Sequence, residues 1–255
     1  MFKKILPLIL TLACCLTLAV GCTAFTAEPS DTDLAEGTKG LNFELSSDGT
    51  GYVCVGLGNA TTTDIVIPAT YKDKPVLAVE NGAFYNCVTL TSVTVQEGVQ
   101  MILPYAFRGC VRLESVTLPG SVTYVGTHAF ALCASLKTVT IADNDQTFDD
   151  PKDDVRLIEE NTFKGCSSLE SVRLPEEMTL LSRRLFDACA SLKEVTIPAR
   201  MEAIDEGCFA GCTSLTTIRY EGPVEEWKAL PKGSLWNMDV SGCTVVCTDG
   251  TTEME

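Results

Sequence analysis

Thirteen cysteines and a single histidine are the residues of this 255-residue chain best suited to chemistry. Six cysteines share a spacing: Cys87, Cys110, Cys133, Cys166, Cys189 and Cys212 follow one another at steps of 23, 23, 33, 23 and 23 residues. Stacked in a column, each sulfur would have two equivalent partners and the wrong torsion for a disulfide. The expectation is buried free thiols that pack as small apolar groups. Cys208 takes a place held elsewhere by Ala83, Ala106 and Ala129 and reads as packing too. Cys243 and Cys247 stand close enough to pair locally, which the sequence leaves open. No second close pair faces them at the spacing a zinc site needs. One histidine excludes a His-rich metal site, and a Ser-His-Asp triad would have to use His128. That residue shares a column with Gly82, Tyr105, Asn161, Arg184 and Gly207, a variable set that reads as solvent-facing. There is no Gly-x-Ser-x-Gly elbow. Gly56-Leu57-Gly58 lacks the third glycine and the following helix of a nucleotide loop. Oxygen ligands cluster once, between residues 143 and 154. Asp143, Asp145, Asp149 and Asp150 could face calcium, but Lys152 sits among the acids and the spacing is not that of an EF-hand. A solvated acidic loop is the preferred reading.

The cysteine spacing belongs to a larger pattern. Three residues before each cysteine stands a phenylalanine: Phe84, Phe107, Phe130, Phe163, Phe186 and Phe209. Three after it stands a leucine, from Leu90 to Leu215. Three and five further on come β-branched or other apolar residues, as in Val93 and Val95. Five and eight residues before the phenylalanine are more apolar columns, as in Val79 and Val76. Alternation around Val93–Val95 predicts a strand with one buried face. Phe-x-x-Cys-x-x-Leu has helical spacing but is short, which predicts a short helix or 3₁₀ turn. One unit cannot bury its own apolar side, whereas units stacked at about 4.8 Å along a parallel sheet can. The fold class is therefore a repeat solenoid of short parallel β-strands and short helical turns. Leu41, Phe43 and Leu45, then Asp48-Gly49 and Tyr52 to Leu57, predict an N-terminal β-hairpin cap. A short helix over 221–230 containing Trp227 and a strand near 244–246 should form the C-terminal cap.

The unit Ala106-Phe107-Arg-Gly-Cys110-Val-Arg-Leu113-Glu-Ser-Val116-Thr-Leu118-Pro119 resembles the BspA-type leucine-rich repeat of bacterial surface proteins. Residues 64–76 look like that family's opening unit, and Trp227, Trp236 and Cys247-Thr-Asp-Gly250 like its closing segment. The resemblance covers roughly residues 41–250 and implies adhesion to protein, on host matrix or on other cells. The family's usual Ile-Gly before the turn survives only as Val125-Gly126.

The first 21 residues read as a secretory signal, with Lys3 and Lys4 ahead of an apolar stretch too short for a comfortable span. Leu18-Ala-Val-Gly-Cys22 resembles a lipobox, with Ala19 where a large aliphatic residue is usual. Lipidation at Cys22 would hold the chain on the outer face of the bacterial cell membrane; simple cleavage would release it. The expected organisation is a signal peptide at 1–21, a flexible tether at 22–40, and an N-terminal cap with an incomplete first repeat at 41–75. Six repeats follow at 76–220, with a ten-residue acidic insertion near 142–154, and a C-terminal cap at 221–255. The net charge of −15 repels phosphate backbones, so nucleic acid is excluded as a partner. The expectation is a monomer without cofactor or catalytic residues, touching the membrane only through Cys22. The outward strand column of Thr94, Thr117, Thr140, Arg173, Thr196 and Arg219 is the candidate binding face. Two readings stay open for it: mere β-propensity, or a recognition surface of the kind solenoids present. Arg173 and Arg219 interrupt the threonines and are the first residues to test. The alternative function is a carbohydrate-binding surface lipoprotein for glycan capture or uptake. Exposed aromatic platforms would favour it, and these columns contain none.

Overall fold

The computed structural model describes residues 37–144 and 157–254. The repeat winds into a parallel β-solenoid. Strands Ser92–Val95, Ser115–Leu118, Thr138–Ile141, Ser171–Arg173, Glu194–Ile197 and Thr217–Tyr220 run parallel, one per unit, in an in-register sheet. Asp64–Ile67 precedes them, Thr244–Val246 follows, and Thr251–Glu253 folds back antiparallel to complete nine strands. Val93 and Val95 are buried while Thr94 is exposed, as the alternation requires. A second sheet collects Met101–Ile102, Tyr124–Val125 and Leu157–Ile158 beside Lys74–Val79 and Tyr52–Gly56. The expected N-terminal hairpin closes it, with Asn42–Leu45 antiparallel to Tyr52–Gly56. Asp48 fixes its turn by accepting bonds from Ser46 Oγ, Thr50 Oγ1 and the Thr50 amide.

The Phe-x-x-Cys-x-x-Leu segments take the turn form of the expectation and not a continuous helix. Each is a run of tight turns. In the first, the amides of Ala83, Tyr85, Cys87 and Leu90 donate to carbonyls three residues back. The intervening amides of Gly82, Phe84 and Asn86 donate instead to Pro104, Ala106 and Arg108 of the next unit. Alternate amides thus bond within the coil and between coils, which satisfies nearly all of them on a third side without a strand. The alternation requires left-handed backbone two residues before and two after each phenylalanine. Tyr105, His128, Asn161 and Arg184 have φ of 53–60° before it, and Asn86, Leu132 and Ala188 have φ of 55–62° after it. No helix passes through such residues.

Between the three sides lies the core. The six phenylalanines form a continuous stack with centroids 4.9–5.7 Å apart and planes within 8° of parallel. The stack crosses the step of 33 without a gap, Phe130 and Phe163 lying 5.7 Å apart. Trp236 takes the next place edge-on, 6.3 Å from Phe209, so the C-terminal cap is a degenerate further turn. The helix Val224–Ala229 buries Trp227 beside it, and Asp249 accepts a bond from the Val224 amide at the helix start.

Cys110, Cys133, Cys166, Cys189 and Cys212 are free and buried, as expected. Each donates its thiol, at 3.1–3.2 Å, to the carbonyl of the phenylalanine one unit back. Burial pushes the Cys166 and Cys212 thiols up to about 12, so these two are chemically quiet. Cys87 departs from the expectation: it is disulfide-bonded. Cys243 and Cys247 are both free.

Candidate functional site

The candidate face is one aligned row. Register places Thr94 beside Thr117 and Thr117 beside Thr140, then Arg173 beside Thr196 and Thr196 beside Arg219. All are exposed except Thr196, which is half-buried. The sheet carries a second row of charge next to it. Lys137 pairs with Glu114 and Lys193 with Glu170, each at 2.8 Å. Glu114 raises the Lys137 pKa, and Lys193 lowers that of Glu170.

The two arginines that break the threonine run are not bare cations. Arg219 meets Glu194 at 2.9 Å. Arg173 donates to both oxygens of Asp143 at 2.9 and 3.0 Å and to Glu176 at 3.1 Å. The Glu176 amide also donates to Asp143 at 3.0 Å. Asp143 is therefore occupied by protein, which leaves it a poor calcium ligand. Asp145, Asp149 and Asp150, like Cys22, lie outside the described residues. Among the described residues no group of three His, Cys, Asp or Glu could hold a metal, and no helix is long and apolar enough to cross a membrane.

His128 departs from the expected solvent-facing place. It is half-buried, stacks on Tyr105 at 5.3 Å and 12°, and has a buried Nδ1 without a hydrogen-bond partner. Burial, Arg108 and Lys164 lower its pKa, while Glu160 acts the other way. Arg108 lies over the rings of Tyr85 and Tyr105, at 5.6 and 6.0 Å, and donates from Nη1 to the Tyr85 hydroxyl at 2.9 Å. The sequence reading missed this aromatic–cation cluster. The signal was present: Tyr85 and Arg108 follow their phenylalanines by one residue, and Tyr105 and His128 precede theirs by two, so these two columns face outward together.

The stacked parallel coils, the phenylalanine spine and the cysteine column define a leucine-rich-repeat solenoid with capped ends. The BspA type leucine rich repeat region matches in six copies over residues 59–151 and 147–230, and the chain belongs to that family. A solved leucine-rich repeat protein of T. pallidum is 26% identical, with a TM-score of 0.63 over 76% of this chain and 84% of that one. A leucine-rich cell surface protein of Faecalibacterium prausnitzii A2-165 is also 26% identical, with a TM-score of 0.52 over 77% of this chain and 41% of that longer one. No curated protein matches.

Proposed function

We propose that this chain is a non-catalytic adhesion protein of the bacterial cell surface, anchored through lipid on Cys22, that binds protein on its outer sheet face. The observation that carries the reading is the row of exposed side chains held in register on the nine-stranded sheet. A rigid row of short polar side chains presents a wide surface at small entropic cost on binding. Membership of a family of bacterial surface proteins supports the location, and the sequence around Cys22 supports the anchor. The test is a binding screen of the full chain, in mild detergent, against immobilised matrix proteins. One or more should bind, and Thr117→Glu with Arg219→Ala should weaken that binding at least tenfold. Arg219 is a cleaner probe than Arg173: it makes one ion pair, to Glu194, whereas Arg173 pairs with both Asp143 and Glu176. Absence of any protein partner, or a partner indifferent to both substitutions, would overturn the reading. Incorporation of labelled palmitate, lost on Cys22→Ala, checks the anchor.

A further inference from the structure

The cluster on the turn side carries an inference of its own, independent of the sheet-face reading. The column two residues before the phenylalanines runs Gly82, Tyr105, His128. Tyr105 and His128 stack at 5.3 Å, one repeat apart. The same step in the other direction reaches the level of Gly82, where there is no side chain. A Cβ built on Gly82 would meet only Tyr85 Cβ, at 3.8 Å. Tyr105 is 38% exposed, and in its column Gly82 lies one repeat to the other side from His128. A flat ring placed there would continue the stack at the spacing the coil already imposes.

The charge beside the open space is unusual for this molecule. The chain is acidic overall, at −15. Arg173, Arg183, Arg184 and Arg219 all pair with carboxylates. Arg108 does not. Among the described residues no carboxylate reaches it, its Nε is buried without a partner, and its one hydrogen bond goes to the neutral Tyr85 hydroxyl. Its guanidinium has five N–H donors and a planar fork that suits a carboxylate. A half-buried arginine between two tyrosine rings thus lacks its anion, next to an aromatic wall that lacks its stacking partner.

We propose that the space over Gly82, walled by Tyr105 and edged by Tyr85 and Arg108, binds the ring of an acidic saccharide of the uronate type. The C–H face of the sugar lies on Tyr105, and its ring carboxylate meets Arg108. A pyranose suits the site better than an acidic peptide because its flat C–H face matches the flat, exposed ring of Tyr105.

The columns themselves supply substitutions the fold already accepts. Asn161 holds the column of Gly82 and Tyr105 with φ of 59°, against 63° and 60° for those two. Ala131 and Ala210 hold the column of Arg108. Gly82→Asn fills the space, Tyr105→Asn removes the wall and Arg108→Ala removes the charge. The experiment is calorimetric titration of the full chain, in mild detergent, with tetragalacturonate, neutral galactotetraose and a glutamate tetrapeptide. Circular dichroism confirms that each variant is folded. Tetragalacturonate should bind at least tenfold more tightly than either other probe, and each substitution should weaken it at least tenfold. Equal binding of the neutral sugar, absence of binding by the uronate, or indifference to the three variants would overturn the proposal. Equal or tighter binding of the glutamate peptide, lost in the same variants, would overturn the saccharide assignment and give the site to acidic protein segments.

Discussion

At the scale of single residues, the strongest departure from expectation is His128. A position in an outward column need not be fully solvated: Tyr105 and Arg184 are exposed, His128 is half-buried, and what the column shares is left-handed backbone. Glycine, asparagine, tyrosine, arginine and histidine all meet the same φ there. The half-buried imidazole sits beside Arg108 and Lys164, which with burial hold its pKa below the ordinary 6.5; Glu160 opposes them. The unfolded chain keeps the ordinary value, so between the two values it binds more protons than the folded chain. Stability tied to His128 is fully present above the ordinary 6.5 and is lost as pH falls below it, through the lowered folded-state value. His128→Asn, which copies the Asn161 of the same column, removes that dependence. Thermal melts of the two proteins should therefore converge or cross as pH falls through and below 6.5. A melting-point difference that stays constant over that range would refute the assignment.

At the scale of the element, the turn segment shows what the sequence disclosed and what it hid. Strands were legible because Val93-Thr94-Val95 and its equivalents alternate with a period of two, which a helix cannot satisfy. The turn was only half legible because Phe, Cys and Leu at successive steps of three satisfy a 3₁₀ helix and a run of tight turns equally. What separates the two is the left-handed residue on either side of the phenylalanine. Its signature, Gly82, Asn86, Gly109, Asn161, Gly165, Gly207 and Gly211, was present but diluted by Tyr105, Leu132, Arg184 and Ala188. The candidate face was legible from the same period of two; its ion pairs were not, because Asp143 and Arg173 are 30 residues apart. The turn geometry predicts opposite outcomes for two small substitutions. Gly109 has φ of 76°, and a Cβ there would clash with Asn86 Oδ1. Gly109→Ala should destabilise by at least the roughly 1–2 kcal/mol of a left-handed non-glycine residue. Ala188→Gly, at φ of 62° and exposed, relieves that strain against an entropic cost of about 0.4–1 kcal/mol and should be neutral or mildly stabilising. Chemical denaturation of both variants measures the difference. Equal losses for the two would show that the left-handed conformation is not what these positions require.

At the scale of the whole molecule, a solenoid is nearly one-dimensional, so its stability is a chain of interfaces between neighbouring coils. Those interfaces are unequal. Along the nine-stranded sheet most neighbours align three or four residue pairs, but Thr138–Ile141 and Ser171–Arg173 align only Thr138 with Ser171. This seam falls at the 33-residue step, where extra chain separates the two strands. Asp143 belongs to the coil before the seam, and Arg173 and Glu176 to the coil after it. Their paired oxygens, guanidinium and backbone amide act as a clamp across the weak ladder. An isolated exposed ion pair is worth about 0–1 kcal/mol. Here Nη1 reaches both Asp143 oxygens, Nη2 bonds Glu176, and the added amide bond places the clamp near the upper end of that range. Arg173→Leu should therefore cost about 1 kcal/mol and loosen the seam before any other interface. Amide exchange should speed up at residues 139–141 and 172–173, while 116–118 and 195–197, one coil further out on either side, keep their protection. Exchange that quickens evenly along the sheet would mean that the coils unfold as one cooperative body and that Arg173 holds no particular seam. Fast exchange confined to the seam would place the weakest joint of the molecule beneath one of the two arginines on its candidate binding face.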